Sequence, residues 1–143
     1  MLALMSSAIT PKNRINTVLI ILVILNIIGD IGNIIFWYAS PSSQVSLKGS
    51  YLAAALGNDN ALIAGSVLLA IVSAIYLISA YGLFKRMPWA PLLVIAISIV
   101  NRALALLLYQ ISPAFWFWAV WTIILVAVAY LDYRKLSASK ASA

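Results

Sequence analysis

The stretch that decides the fold is INTVLIILVILNIIGDIGNIIFWYA at positions 15–39, an apolar run with a single charged residue, Asp30. As an α-helix, about 25 residues extend about 37 Å, enough to cross a hydrocarbon core of roughly 30 Å. Similar apolar runs occupy 60–84, 88–109 and 115–131. The sequence therefore predicts an all-α, polytopic integral membrane protein with four transmembrane helices in an up-and-down bundle.

The segments that join these runs contain turn and cap residues. Residues 40–59 predict an outer loop, in which 45–56 forms either a short interfacial helix or a plain loop. Residues 132–143 predict a short cytoplasmic tail, in which 136–143 are expected to be disordered. We therefore expect a single membrane domain over residues 1–143.

The amino-acid composition is typical of a protein that folds in a lipid bilayer. Hydrophobic residues make up 65% of the chain and charged residues 8%, whereas soluble domains average about 25% charged residues. A folded body of 143 residues cannot bury so much apolar surface away from water. This composition argues against a soluble enzyme.

Several residue types that catalysis and metal binding use are missing. The chain has no Cys, no His and no Glu, and its three Asp residues lie on different segments. Thiolate chemistry, haem ligation by His and multi-carboxylate metal sites lack their ligands. We therefore expect no enzymatic activity, no metal site and no cofactor, and we expect the net charge of +6 to reflect membrane orientation rather than nucleic-acid binding.

The basic residues predict the orientation. One side of the predicted bundle has a single base, Lys48, and the other side has seven, namely Lys12, Arg14, Lys85, Arg86, Arg134, Lys135 and Lys140. Because cytoplasmic loops are enriched in Lys and Arg, this asymmetry predicts a cell-membrane protein with both termini in the cytoplasm.

Asp30 and Arg102 are the charged residues inside predicted spans. Asp30 lies about 22 Å along its helix from position 15, and Arg102 about 21 Å along its helix from position 88. Charges at one depth in hydrocarbon are expected to pair, so the sequence predicts an Asp30–Arg102 salt bridge. The polar residues expected around this pair are Asn26, Asn33, Asn101, Ser66, Ser73, Tyr109 and Thr122.

The positions of three tryptophans in the sequence allow two interpretations. Trp37, Trp118 and Trp121 lie toward the outer ends of their helices. They fit an aromatic belt at the membrane surface, and they also fit the wall of a ligand site.

These features leave three hypotheses for function. The leading one is a non-catalytic structural or accessory subunit that packs in the bilayer with a second copy or a larger membrane complex. The second is a small carrier or channel that uses the Asp30–Arg102 layer, and the third is a lipid- or isoprenoid-binding protein. In each case membrane lipids are expected partners.

Overall fold

A computed structural model of the chain describes residues 14–108 and 113–141. Within these residues the chain forms α-helices and one 3-10 turn, without any β-strand. In chain order they are α1 (Arg14–Ala39), the 3-10 turn (Pro41–Gln44), α2 (Val45–Lys48), α3 (Tyr51–Leu56), α4 (Asn58–Phe84), α5 (Trp89–Leu108) and α6 (Pro113–Ala141).

Four of these helices, α1, α4, α5 and α6, are long and apolar enough to cross a membrane. This result confirms the all-α prediction with four candidate transmembrane helices. A helix satisfies its backbone N–H and C=O groups internally, which a single segment in hydrocarbon must do. Proline occurs in the first turns of α5 and α6, at Pro91 and Pro113, where its missing N–H removes no helical hydrogen bond.

The four long helices pack as a closed bundle. Helix α1 contacts α4 and α6, and α5 also contacts α4 and α6. The main core consists of apolar side chains from all four helices, among them Leu19, Val23, Val72, Val94 and Leu125. Large apolar side chains such as Ile28, Phe36, Leu77, Ile99 and Ile123 are exposed on the outside. Such an outer wall suits contact with lipid tails.

Helices α2 and α3 lie at the end of the bundle opposite the turn between α4 and α5. We call these the loop end and the hairpin end. Leu47 of α2 is buried against α1, α4 and α5 in a cluster that we call the loop-end plug, formed by Trp37, Leu47, Leu69 and Leu108. Helix α3 packs on α4 and α5. The helical alternative for residues 45–56 is therefore confirmed, although the segment breaks into two helices.

Trp37 belongs to this plug, so the side chain that the sequence assigns to an aromatic belt or a ligand wall packs inside the bundle. The side chain is 3% exposed. Gly65 makes room for it, because a Cβ at that position would lie 3.4 Å from the Trp37 ring and 3.0 Å from Leu108. Gln44 Nε2 donates a 2.7 Å hydrogen bond to the Trp37 carbonyl and ties the 3-10 turn to the end of α1.

The last helix is longer than the sequence indicates. Helix α6 continues to Ala141, whereas the predicted span ends at 131 and the predicted tail begins at 132. The prediction of disorder is wrong for 136–141, and residues 142–143 lie outside the described part of the chain. Asp132 and Leu136 are buried on the extension, so packing holds this last part of the helix against the bundle.

Candidate functional site

The carboxylate of Asp30 lies inside the bundle, with 9% of the residue exposed. Its Oδ2 accepts a 3.1 Å hydrogen bond from Asn26 Nδ2, one turn earlier on α1. It accepts a second, longer bond of 3.4 Å from Asn101 Nδ2 on α5. Both donors are neutral amides, so Asp30 is held by dipoles rather than by a formal positive charge.

Arg102 points toward a different helix. Its Nε donates a 3.2 Å hydrogen bond to Thr122 Oγ1 on α6, and its guanidinium lies 5.7 Å from the centre of the Phe115 ring. The predicted direct Asp30–Arg102 salt bridge is therefore wrong. Successive residues of a helix point about 100° apart, so Asn101 faces Asp30 on α1 while Arg102 faces α6. Arg102 is near enough to Asp30 to attract it through space.

Polar groups of α4 and α5 lie near this carboxylate. Tyr76 and Ser98 share a 2.9 Å hydrogen bond between their hydroxyls, and the Tyr76 hydroxyl is within electrostatic reach of Asp30. Two buried polar atoms, Ser73 Oγ on α4 and Trp121 Nε1 on α6, have no hydrogen-bond partner among residues 14–108 and 113–141. An unsatisfied buried polar group costs about 1–3 kcal/mol, so each needs an explanation.

Contacts at the hairpin end provide a common reference point on α1, α4 and α6. Asn16, Leu83 and Asp132 meet there, because Asn16 Nδ2 lies 3.3 Å from Leu83 O and 3.1 Å from Asp132 Oδ2. Ten residues away along each helix, or about 15 Å, lie Asn26 on α1, Ser73 on α4 and Thr122 on α6. Asp30 is one turn further, and its side chain leans back toward the start of α1.

We call this set the polar layer: Asn26, Asp30, Ser73, Tyr76, Ser98, Asn101, Arg102 and Thr122. All four long helices contribute to it, and along α1 it extends from about 15 Å at Asn26 to about 21 Å at Asp30, counted from Asn16, within the thickness of a hydrocarbon core of roughly 30 Å.

The other predicted residues have different positions. Asn33 is half-buried and is not one of the two groups that hydrogen-bond Asp30. Ser66 Oγ donates a 2.8 Å hydrogen bond to Leu62 O on its own helix, so its hydroxyl is satisfied locally. Tyr109 lies outside the described residues.

Trp118 and Trp121 are half-buried and border the polar layer. Their rings meet edge to face, with centroids 6.4 Å apart. Trp118 also lies over Gly29, the neighbour of Asp30, where an added Cβ would be 3.4 Å from its Cη2 atom. Thr122 Oγ1 donates a 2.9 Å hydrogen bond to the Trp118 carbonyl, one turn earlier on α6.

A second polar site, which we call the hairpin-end cluster, consists of Asn16, Arg86 and Asp132. Asp132 is 1% exposed, and its Oδ1 lies 3.3 Å from Arg86 Nη1 in an ion pair, while Asn16 bonds its other oxygen. The sequence did not predict this cluster, because Arg86 is one of the bases that indicate membrane orientation and Asp132 lies in the predicted tail. The signal in the sequence that could have predicted the cluster is a polar residue at the end of each of two apolar runs, namely Asn16 and Asp132.

The backbone at Arg86 is unusual. Its φ is +58°, in the left-handed region that glycine normally occupies at the end of a helix. The Arg86 N–H donates to Leu83 O at 3.0 Å, and the Met87 N–H donates to Gly82 O at 2.8 Å. These two bonds form a Schellman motif at the end of α4, and the side chain at its left-handed position is the one that pairs with Asp132.

No family model, no curated protein and no solved structure matches this chain. Function is therefore inferred from the chemistry of the two polar sites.

Proposed function

We propose that this chain is a small, non-enzymatic carrier that binds and moves a proton or a monovalent cation on Asp30. The observation behind this proposal is a carboxylate buried inside an apolar bundle that neutral amides hold, without a direct salt bridge among residues 14–108 and 113–141. A carboxylate inside a membrane span is costly and typically belongs to an ion or proton pathway. The sequence favours a structural or accessory subunit, for which a direct, saturated Asp30–Arg102 pair is expected; the Asp30 contacts favour the carrier alternative instead.

The surroundings of the polar layer support a carrier rather than an open pore. Toward the hairpin end the bundle is filled by buried apolar side chains, including Leu19, Leu83 and Leu125. Toward the loop end lies the loop-end plug. A site that is closed toward both ends suits a carrier, which exposes its site to one side of the membrane at a time.

We also propose that the hairpin end and both termini are cytoplasmic and that the helices alternate in direction. The contacts of Asn16 with Leu83 and Asp132 support alternating directions, because they join the start of α1 to the end of α4 and to the C-terminal half of α6. Exposed bases lie at or near this end, namely Arg14, Lys85, Arg134, Lys135 and Lys140, while Lys48 lies at the loop end. This asymmetry supports a cytoplasmic hairpin end.

The test is ion flux into liposomes that contain the purified full-length chain. An internal pH-sensitive dye and external ²²Na⁺ report proton and sodium entry under an imposed membrane potential. We expect flux with the wild type and flux at the level of empty liposomes with Asp30→Asn. Asp59→Asn removes the same charge at an exposed position and should leave the flux unchanged.

If wild-type protein of native helicity moves neither ion, the carrier proposal is wrong. Equal flux by wild type and Asp30→Asn would also contradict it. In either case a structural subunit becomes the better hypothesis, and proteins that co-purify with the chain in mild detergent are the next measurement.

A further inference from the structure

We infer that the hairpin end binds anionic phospholipid through four exposed bases, Arg14, Lys85, Arg134 and Lys135, which we call the basic collar. The collar binds the lipid phosphate, and the acyl chains lie along the apolar outer wall of the bundle. Binding at the collar does not depend on transport by Asp30.

One junction sets the level of the collar. Asn16 Nδ2 of α1 lies 3.3 Å from Leu83 O of α4 and 3.1 Å from Asp132 Oδ2 of α6. Two residues further out along each of these helices, or about 3 Å, is an exposed base. The three bases are Arg14, Lys85 and Arg134. Because α1 contacts both α4 and α6, the collar follows three neighbouring helices at one level.

The charge of the collar is not balanced by acidic side chains. The chain has no Glu and three Asp residues, all within the described part of the chain. Asp30 lies in the polar layer, and Asp59 lies at the start of α4, at the loop end. Asp132 is buried and pairs with Arg86, which is therefore not counted in the collar. Exposed bases beside a membrane attract anionic headgroups, and each base adds to the binding.

Exposed tyrosines indicate that the ligand is a lipid rather than a water-soluble anion. Tyr81 lies one turn inward of Lys85 on α4, and Tyr130 lies one turn inward of Arg134 on α6. Residues four apart share one face of a helix, so each tyrosine lies beside its base. The two tyrosines are 60% and 53% exposed, and Lys85 Nζ lies 5.9 Å from the centre of the Tyr81 ring. Tyrosines at a membrane surface lie at the headgroup level, which places the collar beside lipid phosphates.

The experiment measures which lipids the full chain retains from nanodiscs of equimolar phosphatidylglycerol and phosphatidylcholine with identical acyl chains. Native mass spectrometry counts the bound lipids of each kind. We expect the wild type to retain phosphatidylglycerol over phosphatidylcholine by about fivefold or more, which is the usual effect of one base near an anionic surface.

Two double variants with the same loss of charge identify the bases responsible. Arg134→Gln with Lys135→Gln removes two collar bases and should lower the lipid ratio about fivefold or more. Lys48→Gln with Lys140→Gln removes two exposed bases outside the collar, one at the loop end and one about 9 Å beyond Arg134. This control should change the lipid ratio by less than about twofold, because the attraction of a base for headgroups falls off within a Debye length. The changed side chains are all exposed, and helicity checks that both variants fold.

Equal retention of the two lipids by folded wild type would overturn the inference. Equal effects of the two double variants would assign the preference to overall charge and overturn the role of the collar. A chain that prefers phosphatidylglycerol and moves no ion would contradict the carrier proposal alone. Ion flux by a chain without lipid preference would contradict the collar alone.

Discussion

Replacing Arg86 by alanine and by glycine separates two opposing effects at the end of α4. The side chain of Arg86 forms an ion pair with buried Asp132 at 3.3 Å, which stabilises the fold. Its backbone, with φ at +58°, is in a conformation that costs a non-glycine residue about 1–2 kcal/mol. Alanine loses the ion pair and retains the backbone cost, whereas glycine loses the ion pair and removes that cost.

The expected magnitudes follow from the geometry. Loss of one partner of a buried ion pair costs about 3–5 kcal/mol. The Arg86 side chain is 34% exposed, and Asp132 keeps its hydrogen bond from Asn16, so we expect about 2–3 kcal/mol for Arg86→Ala. Arg86→Gly should be about 1 kcal/mol more stable than Arg86→Ala.

The assay is equilibrium unfolding in mild detergent, followed by tryptophan fluorescence and helicity. Lys85 provides the matched control, because it is exposed and has an ordinary φ of −81°. At that position glycine should be no more stable than alanine. Combining Arg86→Ala with Asp132→Asn should cost clearly less than the sum of the single changes.

An Arg86→Gly variant that is less stable than Arg86→Ala would refute the backbone argument. Strict additivity in the double-mutant cycle would refute the ion-pair argument.

Two further predictions concern packing and orientation. Gly82→Ala should destabilise the chain by about 1–2 kcal/mol in the same unfolding assay, because the new Cβ would lie 2.8 Å from Ala90 Cβ. The control is Gly32→Ala, whose new Cβ meets nothing within 4 Å and which should be neutral or slightly stabilising. A single cysteine at Ala55 should react with a membrane-impermeant maleimide added to intact cells, and one at Ala138 should react only after the cells are permeabilised. Labelling of Ala138→Cys but not of Ala55→Cys in intact cells would contradict the proposed orientation.

Composition and periodicity were sufficient to predict the helices. In hydrocarbon an apolar run has few alternatives to a helix, so the spans could be located to within a few residues, apart from the end of α6. Helix α6 continues past the predicted span end at 131, because a hydropathy boundary marks where a membrane span stops, not where a helix stops. Residues 132–141 contain no glycine or proline, and the buried Asp132 and Leu136 hold them to the bundle.

The chain's sequence also places Asp30 and Arg102 at one depth, because helical rise depends only on residue count. It does not determine which side chain faces which, since that depends on how each helix is rotated about its axis. Rotation is set by the packing of all four helices together. That packing brings Asn101 to Asp30, turns Arg102 to Thr122, and buries Trp37 under Leu47.

The hairpin-end cluster shows most clearly which features follow from the sequence and which depend on tertiary packing. From the sequence alone, Asn16, Arg86 and Asp132 are polar residues near three separate helix ends. Only the tertiary structure brings them together, because their contact depends on how far each helix extends and on the left-handed turn at Arg86. Local chemistry therefore determines the helices of this protein, and long-range packing determines the pairing of its buried polar groups.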